Sequence, residues 1–255
     1  MELSHQELFD FLEAKYELYN HPEFIETDPI SVPHQFTRKE DIEIAAFLTA
    51  TISWGNRQSI VKDAEKLLGM MEFSPYDFIV NLNQTETEKF ESFYHRTFNG
   101  KDCIFFLNSL KNIYQIHDGL ESLFLPDNVT GIKGVLCRFR SVFLEIDHPR
   151  RSEKHIADPS KGASSKRLLM FLRWMVRNDH KGVDFGLWKK ISSAILMCPL
   201  DVHSGNVARK LGLLQRKQND WKAVEELTAN LRQFDPEDPV KYDFALFGLG
   251  VFEHF

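Results

Sequence analysis

Two segments of this 255-residue chain carry side chains able to do chemistry. The first is SKGASSKRLLMFLRWMVR, residues 160–177. Gly162 permits a tight turn, Ser164 or Ser165 can cap a helix, and Lys166 falls in the first helical turn. An ammonium there sits against the positive end of the helix dipole, with Arg167 beside it and Lys161 nearby. Each neighbour disfavours the charged form, and a neutral lysine amine is a nucleophile that forms a Schiff base with an aldehyde carbon. Taken alone, the same lysine also reads as a phosphate contact or a solvated side chain. The second segment is MCPLDVHSGNVARKLGLL, residues 197–214. Asp201 precedes a helix, whose free N–H groups would donate to its carboxylate. Capping by itself accounts for an Asp at that place, and packing for His203. No set of His, Glu and Asp has the spacing of a metal site, so neither metal nor cofactor is expected.

The elements that must position these residues are helical. Apolar residues recur at helical spacing over 7–19, ended by Asn20, His21 and Pro22. Thr37 and Glu40 match a capping box, followed by Ile42, Ala45, Ala46, Thr49 and Ile52 on one face. After a break at Trp54, Gly55 and Asn56 comes the stripe Ile60, Val61, Ala64, Leu67, Leu68 and Met71. Ser74 and Pro75 open another helix in the favoured cap-then-proline order. Residues 85–125 are Phe-rich and helical in pattern, a loop runs from Leu125 through Asp127 and Asn128, and 132–143 is helical. Residues 148–165 read as a long polar, basic loop. Helices follow over 166–177, 187–195, 201–211 (ended by Gly212), 220–233 and 240–252. Asp235, Glu237 and Asp238 read as a solvated turn, and 242–250, Asp243 included, as core. There is no strand pair with a hairpin turn, no internal repeat and no low-complexity tract. The fold class is all-α, one helical domain over 1–255 without a linker.

Composition bounds the partners. Hydrophobic residues make up 43% of the chain and 22 of its residues are Phe, which implies helices packed through bulky side chains. The formal net charge is -6. Residues 148–177 nevertheless hold eight Lys/Arg against two Asp/Glu, and 202–219 hold Arg209, Lys210, Arg216 and Lys217 with no acid. A basic patch on an acidic body steers a polyanion while the rest of the surface disfavours non-specific binding. Cys103, Cys137 and Cys198 are odd in number and far apart, so no disulfide framework is expected. The first residues lack a basic n-region and an apolar h-region, and no apolar run approaches the roughly 20 residues of a membrane span. The expectation is a cytoplasmic monomer with no membrane partner, nucleoid-associated if it binds DNA.

The string PLDVHSGNVARKLGL resembles the VDTHVxRVxxRLGL signature of helix-hairpin-helix (HhH-GPD) DNA glycosylases. That resemblance places the catalytic carboxylate at Asp201. The LPGxGxK motif of the usual nucleophile is missing, as is the four-Cys iron–sulfur loop of some members. Lys166, 35 residues before Asp201, gives an interval similar to that of the archaeal 8-oxoguanine glycosylases. Over its length, from about residue 28 onward, the chain also resembles an uncharacterised bacterial family, through LTATISWGNRQSI, SSKRLLMFLRWMVR, LMCPLDVHSGNVARKLGL and DPEDPVKYDFALFGLG.

The glycosylase resemblance implies a two-subdomain helical fold with the active site in the interdomain cleft. It also implies base-excision repair of double-stranded DNA by a bifunctional glycosylase/AP lyase acting on an oxidised purine such as 8-oxoguanine. Lys166 would attack C1′ and Asp201 would stabilise the developing oxocarbenium charge. Trp54, Asn56, Arg57 and Gln58 would fill the gap left by the extruded nucleotide or read the opposite strand. Lys161, Arg167, His203, Arg209 and Lys210 would complete the DNA contacts. A non-catalytic helical protein binding nucleic acid or protein on the same scaffold is the alternative. An empty cleft with the Lys166 amine within about 5 Å of the Asp201 carboxylate, the range over which opposite charges tune each other, would favour catalysis, and placement on different faces would exclude it.

Overall fold

A computed structural model of the chain describes residues 3–126 and 131–255; Asp127 and Asn128 of the expected loop lie outside them. The described residues are mostly helical, in keeping with the all-α class. Among them no helix is long and apolar enough to cross a membrane. The chain divides into two compact units, one of Ile25–Asp158 and one of Met1–Phe24 with Pro159–Phe255.

In the Ile25–Asp158 unit the helix Lys39–Ile52 is buried on every face from Ile42 to Ile52, as befits a central helix rather than an amphipathic one. Phe residues account for its core: Phe47 packs on Phe106, Phe139 and Phe143, and Phe106 lies 4.8 Å from Phe143, centroid to centroid. The capping box expected at Thr37 does not form. Arg38 occupies the N-cap, and its guanidinium takes the Glu40 carboxylate at 3.2 Å. Ser74 and Pro75 do open the helix Pro75–Val80, but the Ser74 side chain makes no cap bond; the Tyr76 N–H donates instead to Asp41 at 2.9 Å.

Residues 94–99 correct the expectation of no hairpin. Strands Tyr94–His95 and Phe98–Asn99 pair antiparallel, His95 opposite Phe98, around a loop of Arg96 and Thr97. Sequence signals missed it because Gly or Asn normally supplies the left-handed turn position. Arg96 adopts it here, at φ +53°. The loop expected over 148–165 contains two 3₁₀ turns, Arg150–His155 and Pro159–Lys161. Ser152 and His155 of the first are buried around Asp102, which Ser152 reaches at 2.7 Å.

In the other unit the first helix, His5–Tyr19, packs on the last, Tyr242–Val251. The ring of Tyr19 lies on Gly248 so closely that a Cβ there would be 2.1 Å away. The last helix also packs on Val202–Lys210, where Gly250 meets His203. Residues 187–195 are not the expected helix; only Ser193–Ile195 makes a 3₁₀ turn. Their backbone is engaged elsewhere. Trp188 N–H donates to Met175 O at 2.9 Å and Phe185 N–H to Trp174 O at 2.8 Å, which satisfies the last carbonyls of the helix Lys166–Val176. Trp188 is buried edge-on against Phe171.

Candidate active site

Lys166 is the first residue of the helix Lys166–Val176. The preceding loop is tied down: Gly162, at φ +88°, accepts the Trp221 N–H at 2.9 Å, and Ala163 bridges to Asp220. Ser165 stands at the N-cap in the left-handed region, φ +54°, and its hydroxyl donates to Ala163 O rather than capping. A non-glycine residue held in that conformation stores strain of about 1–3 kcal/mol, as residues beside functional sites often do.

Asp201 caps the helix Val202–Lys210. Its Oδ1 accepts the Ser204 N–H at 3.0 Å, Ser204 Oγ accepts the Asp201 N–H at 3.0 Å, and Asn219 donates to the Asp201 carbonyl at 2.8 Å. The far end closes on Gly212, at φ +75°, with Leu213 N–H donating to Ala208 O and Gly212 N–H to Arg209 O. The backbone thus holds one carboxylate oxygen and leaves the other facing the lysine. Lys166 Nζ stands 3.1 Å from Asp201 Oδ2, so the distance part of the expectation is met. The two side chains are 29% and 22% exposed, so the pair is neither sealed nor on open surface. Burial pushes the Asp201 carboxyl up, but the Lys166 ammonium, the Ser204 N–H and the charge of His203 hold it below its usual value.

Two residues that sequence reasoning passed over extend the arrangement. Arg173 and Arg177 follow Lys166 at helical spacings of two and three turns, so all three cations share one stripe. Each meets carboxylates. Arg173 bonds Asp184 at 3.2 Å and Asp243 at 2.5 Å; Arg177 bonds Asp179 and Asp238 at 2.8 Å and Tyr16 Oη at 2.9 Å. The available signal was Arg173 inside, and Arg177 just after, the apolar run 168–176, since a buried arginine demands partners. Burial pushes Asp243 up to about 6, with Arg173 opposing the rise and Asp201 adding to it. Asp238 is likewise raised by burial to about 6, against the pull of Arg177. The turn read as solvated is therefore engaged at Asp238 and at Asp235, which pairs with Lys241 at 2.8 Å; of its three acids, Glu237 is the exposed one.

The remaining candidates separate by role. His203 is exposed beside Asp201, its Cβ against Gly250. Arg167 is half-buried, and burial lowers its guanidinium to about 10. Lys161 is exposed, and the Lys210 ammonium lies 5.5 Å from the Phe255 ring. Arg209 is bound up with its own loop: Nε donates to Arg216 O at 2.8 Å, and Nη2 to Lys217 O and to the Asn219 side chain. Trp54, Asn56, Arg57 and Gln58 belong to the Ile25–Asp158 unit. There Trp54 is half-buried, stacked on His155 and edge-on to His95. Asn56 caps the helix Arg57–Gly69 through the Ser59 N–H, Arg57 is half-buried and Gln58 exposed. Among the described residues no group of three or more His, Cys, Asp or Glu side chains is placed to hold a metal ion.

No curated protein and no solved structure matches the chain. A family model does, over residues 28–252, and the chain accordingly belongs to the family described as "Protein of unknown function (DUF2400)".

Proposed function

We propose that this protein is a DNA glycosylase with associated lyase activity, acting on an oxidised purine such as 8-oxoguanine in double-stranded DNA. The two-subdomain helix-hairpin-helix fold is part of the proposal. The observation that carries it is the 3.1 Å approach of the Lys166 amine to an Asp201 oxygen, on two helix N-termini separated by 35 residues of sequence. An amine beside a carboxylate that stays ionised is what attack on a sugar carbon needs. Asp201 takes a proton from the Lys166 nitrogen, and that nitrogen bonds to C1′. The C1′–base bond breaks with its electron pair leaving on the base, which picks up a proton. Nitrogen then forms a double bond to C1′ as the sugar ring oxygen leaves and is protonated. Loss of a C2′ proton from this imine expels the 3′ phosphate and cuts the strand.

One observation favours a non-catalytic binding protein instead: both Asp201 oxygens already have protein partners, as in a purely structural cap and ion pair. Borohydride trapping separates the two readings. Wild type, Lys166→Gln and Asp201→Asn are incubated with duplexes containing 8-oxoguanine, uracil, thymine glycol or an abasic site. A covalent adduct on a damaged-base duplex that vanishes with Lys166→Gln is the expected result. No adduct and no released base on any duplex would favour the binding protein.

A further inference from the structure

The hairpin over 94–99 is held too firmly to be an idle turn. His95 is buried, with Nδ1 2.7 Å from Asp63 Oδ2 and Nε2 3.1 Å from Trp54 O. Phe98 is buried against Phe93 and Phe106, and Arg151 donates to Thr97 O at 3.1 Å. The opposite face of the same strand presents Tyr94, 69% exposed. Arg96 holds its left-handed turn with its guanidinium over Gly55, where a Cβ would come within 2.5 Å of Nη1. The helix Arg57–Gly69 runs alongside and exposes Lys62 and Lys66 one turn apart, with Lys66 Nζ 5.9 Å from the centre of the Tyr94 ring.

The cations of this face differ from those of the unit that are held in ion pairs. Arg38, Lys39 and Lys89 of the unit are paired with carboxylates. Lys62, Lys66 and Arg96 make no ion pair among the described residues; of the two acids between the lysines, Asp63 is taken by His95 and Glu65 accepts from the Gln35 side chain at 3.1 Å. Three unpaired cations therefore flank one rigid, exposed aromatic ring, and the neighbouring Asn56, Gln58, Ser59 and Thr97 are exposed and polar. A protein partner would call for an apolar centre, whereas the residues around Tyr94 named here are charged or polar. A polyanion with unstacked π-faces suits it, whereas duplex bases are already stacked on one another.

We infer that this face binds a single-stranded nucleic-acid segment, one base stacking on Tyr94 while Lys62, Lys66 and Arg96 meet its phosphates. The inference rests on the nucleic-acid partner of the proposed function but not on the chemistry at Lys166. It is tested on a Lys166→Gln background by fluorescence anisotropy with an undamaged, labelled oligothymidylate and a duplex of equal length, over a range of salt. Tyr94→Ala weakens single-strand binding about tenfold, with little effect on the duplex. The combined Lys62→Ala, Lys66→Ala, Arg96→Ala variant lowers the slope of log K against log salt by about two, at about 0.7 per lost phosphate contact. Unchanged circular dichroism confirms that these exposed positions leave the fold intact. Single-strand affinity within about twofold of the parent in both variants, no single-strand binding by the parent, or equal loss on strand and duplex with Tyr94→Ala would each overturn it. Trapping by wild type alongside any of those results would sink this surface alone.

Discussion

Asp243 meets the Arg173 guanidinium at 2.5 Å, and Arg173 stands two turns along the helix that Lys166 begins. Burial raises Asp243 from 3.8 to about 6 despite that partner. Between those values the folded chain keeps a proton that the unfolded chain has released. The contribution is therefore fully present below about pH 3.8 and lost as pH rises through about 6. Asp243→Asn fixes the neutral form. The melting temperature of this variant relative to wild type is expected to rise between pH 4 and pH 7 by roughly 3–8 °C, at about 2–4 °C per kcal/mol for a chain of this size. A difference independent of pH in calorimetry would count against the assignment.

Asp201 holds two roles that one substitution can separate. Asn caps a helix as well as Asp does, so Asp201→Asn is expected to melt within about 2 °C of wild type, whereas Asp201→Ala loses about 1 kcal/mol. Both lose the charge that faces Lys166. Trapped adduct should fall about a hundredfold or more in each, the range typical of a lost proton-transfer group. Trapping that follows stability rather than charge would mark Asp201 as a cap alone.

The lowered Asp201 carboxyl gives a second pH expectation, of opposite sign to that of Asp243. Its stabilising contribution is present above the ordinary Asp value of 3.8 and lost as pH falls below it. Lys166→Met removes the charge that helps hold it down. Carbon-13 NMR of the Asp201 carboxyl should then show its titration midpoint moving upward; an unmoved midpoint would mean that the pair does not persist in solution.

Gly248→Ala tests the packing beneath the last helix. In an open helix this change gains about 1 kcal/mol from propensity. Here the added Cβ would meet the Tyr19 ring at 2.1 Å, and that ring is stacked on Phe252 while its hydroxyl bonds Glu253. A net loss of about 1–3 kcal/mol in urea unfolding is expected. Gly250→Ala, 3.2 Å from His203, should cost less.

Arg209 and Lys210 are adjacent bases with different employment. Arg209→Ala frees the carbonyls of Arg216 and Lys217 and should destabilise the chain by about 1–3 kcal/mol, as removal of a charged hydrogen-bond donor does. Lys210→Ala should leave stability within about 0.5 kcal/mol. Any effect of Lys210→Ala on duplex binding is then electrostatic, visible as a weaker salt dependence.

The all-α class, most helix positions and the Lys166 and Asp201 helix starts were legible in the sequence, because apolar periodicity and cap residues act over a few neighbouring residues. Asp201, Ser204 and Gly212 mark out their helix by local bonding alone. What local signals could not supply was set by distant partners. Residues 187–195 read as helical, but the carbonyls of Trp174 and Met175 compete for the N–H groups around Trp188 and leave the chain in turns. Thr37 looked like a cap until Arg38 claimed Glu40. The hairpin at Arg96 carries no turn residue, since His95 and Phe98 anchor it from below and the burial of their rings offsets the strained backbone. Asp238 appeared solvated because its counter-charge, Arg177, lies 61 residues away. The sequence thus determined which side chains could do chemistry and which helices begin with them. Only the tertiary structure decided that Lys166 and Asp201 meet, because their approach depends on a loop tied to Trp221 and on Asn219 bracing the Asp201 backbone, contacts that no periodicity records.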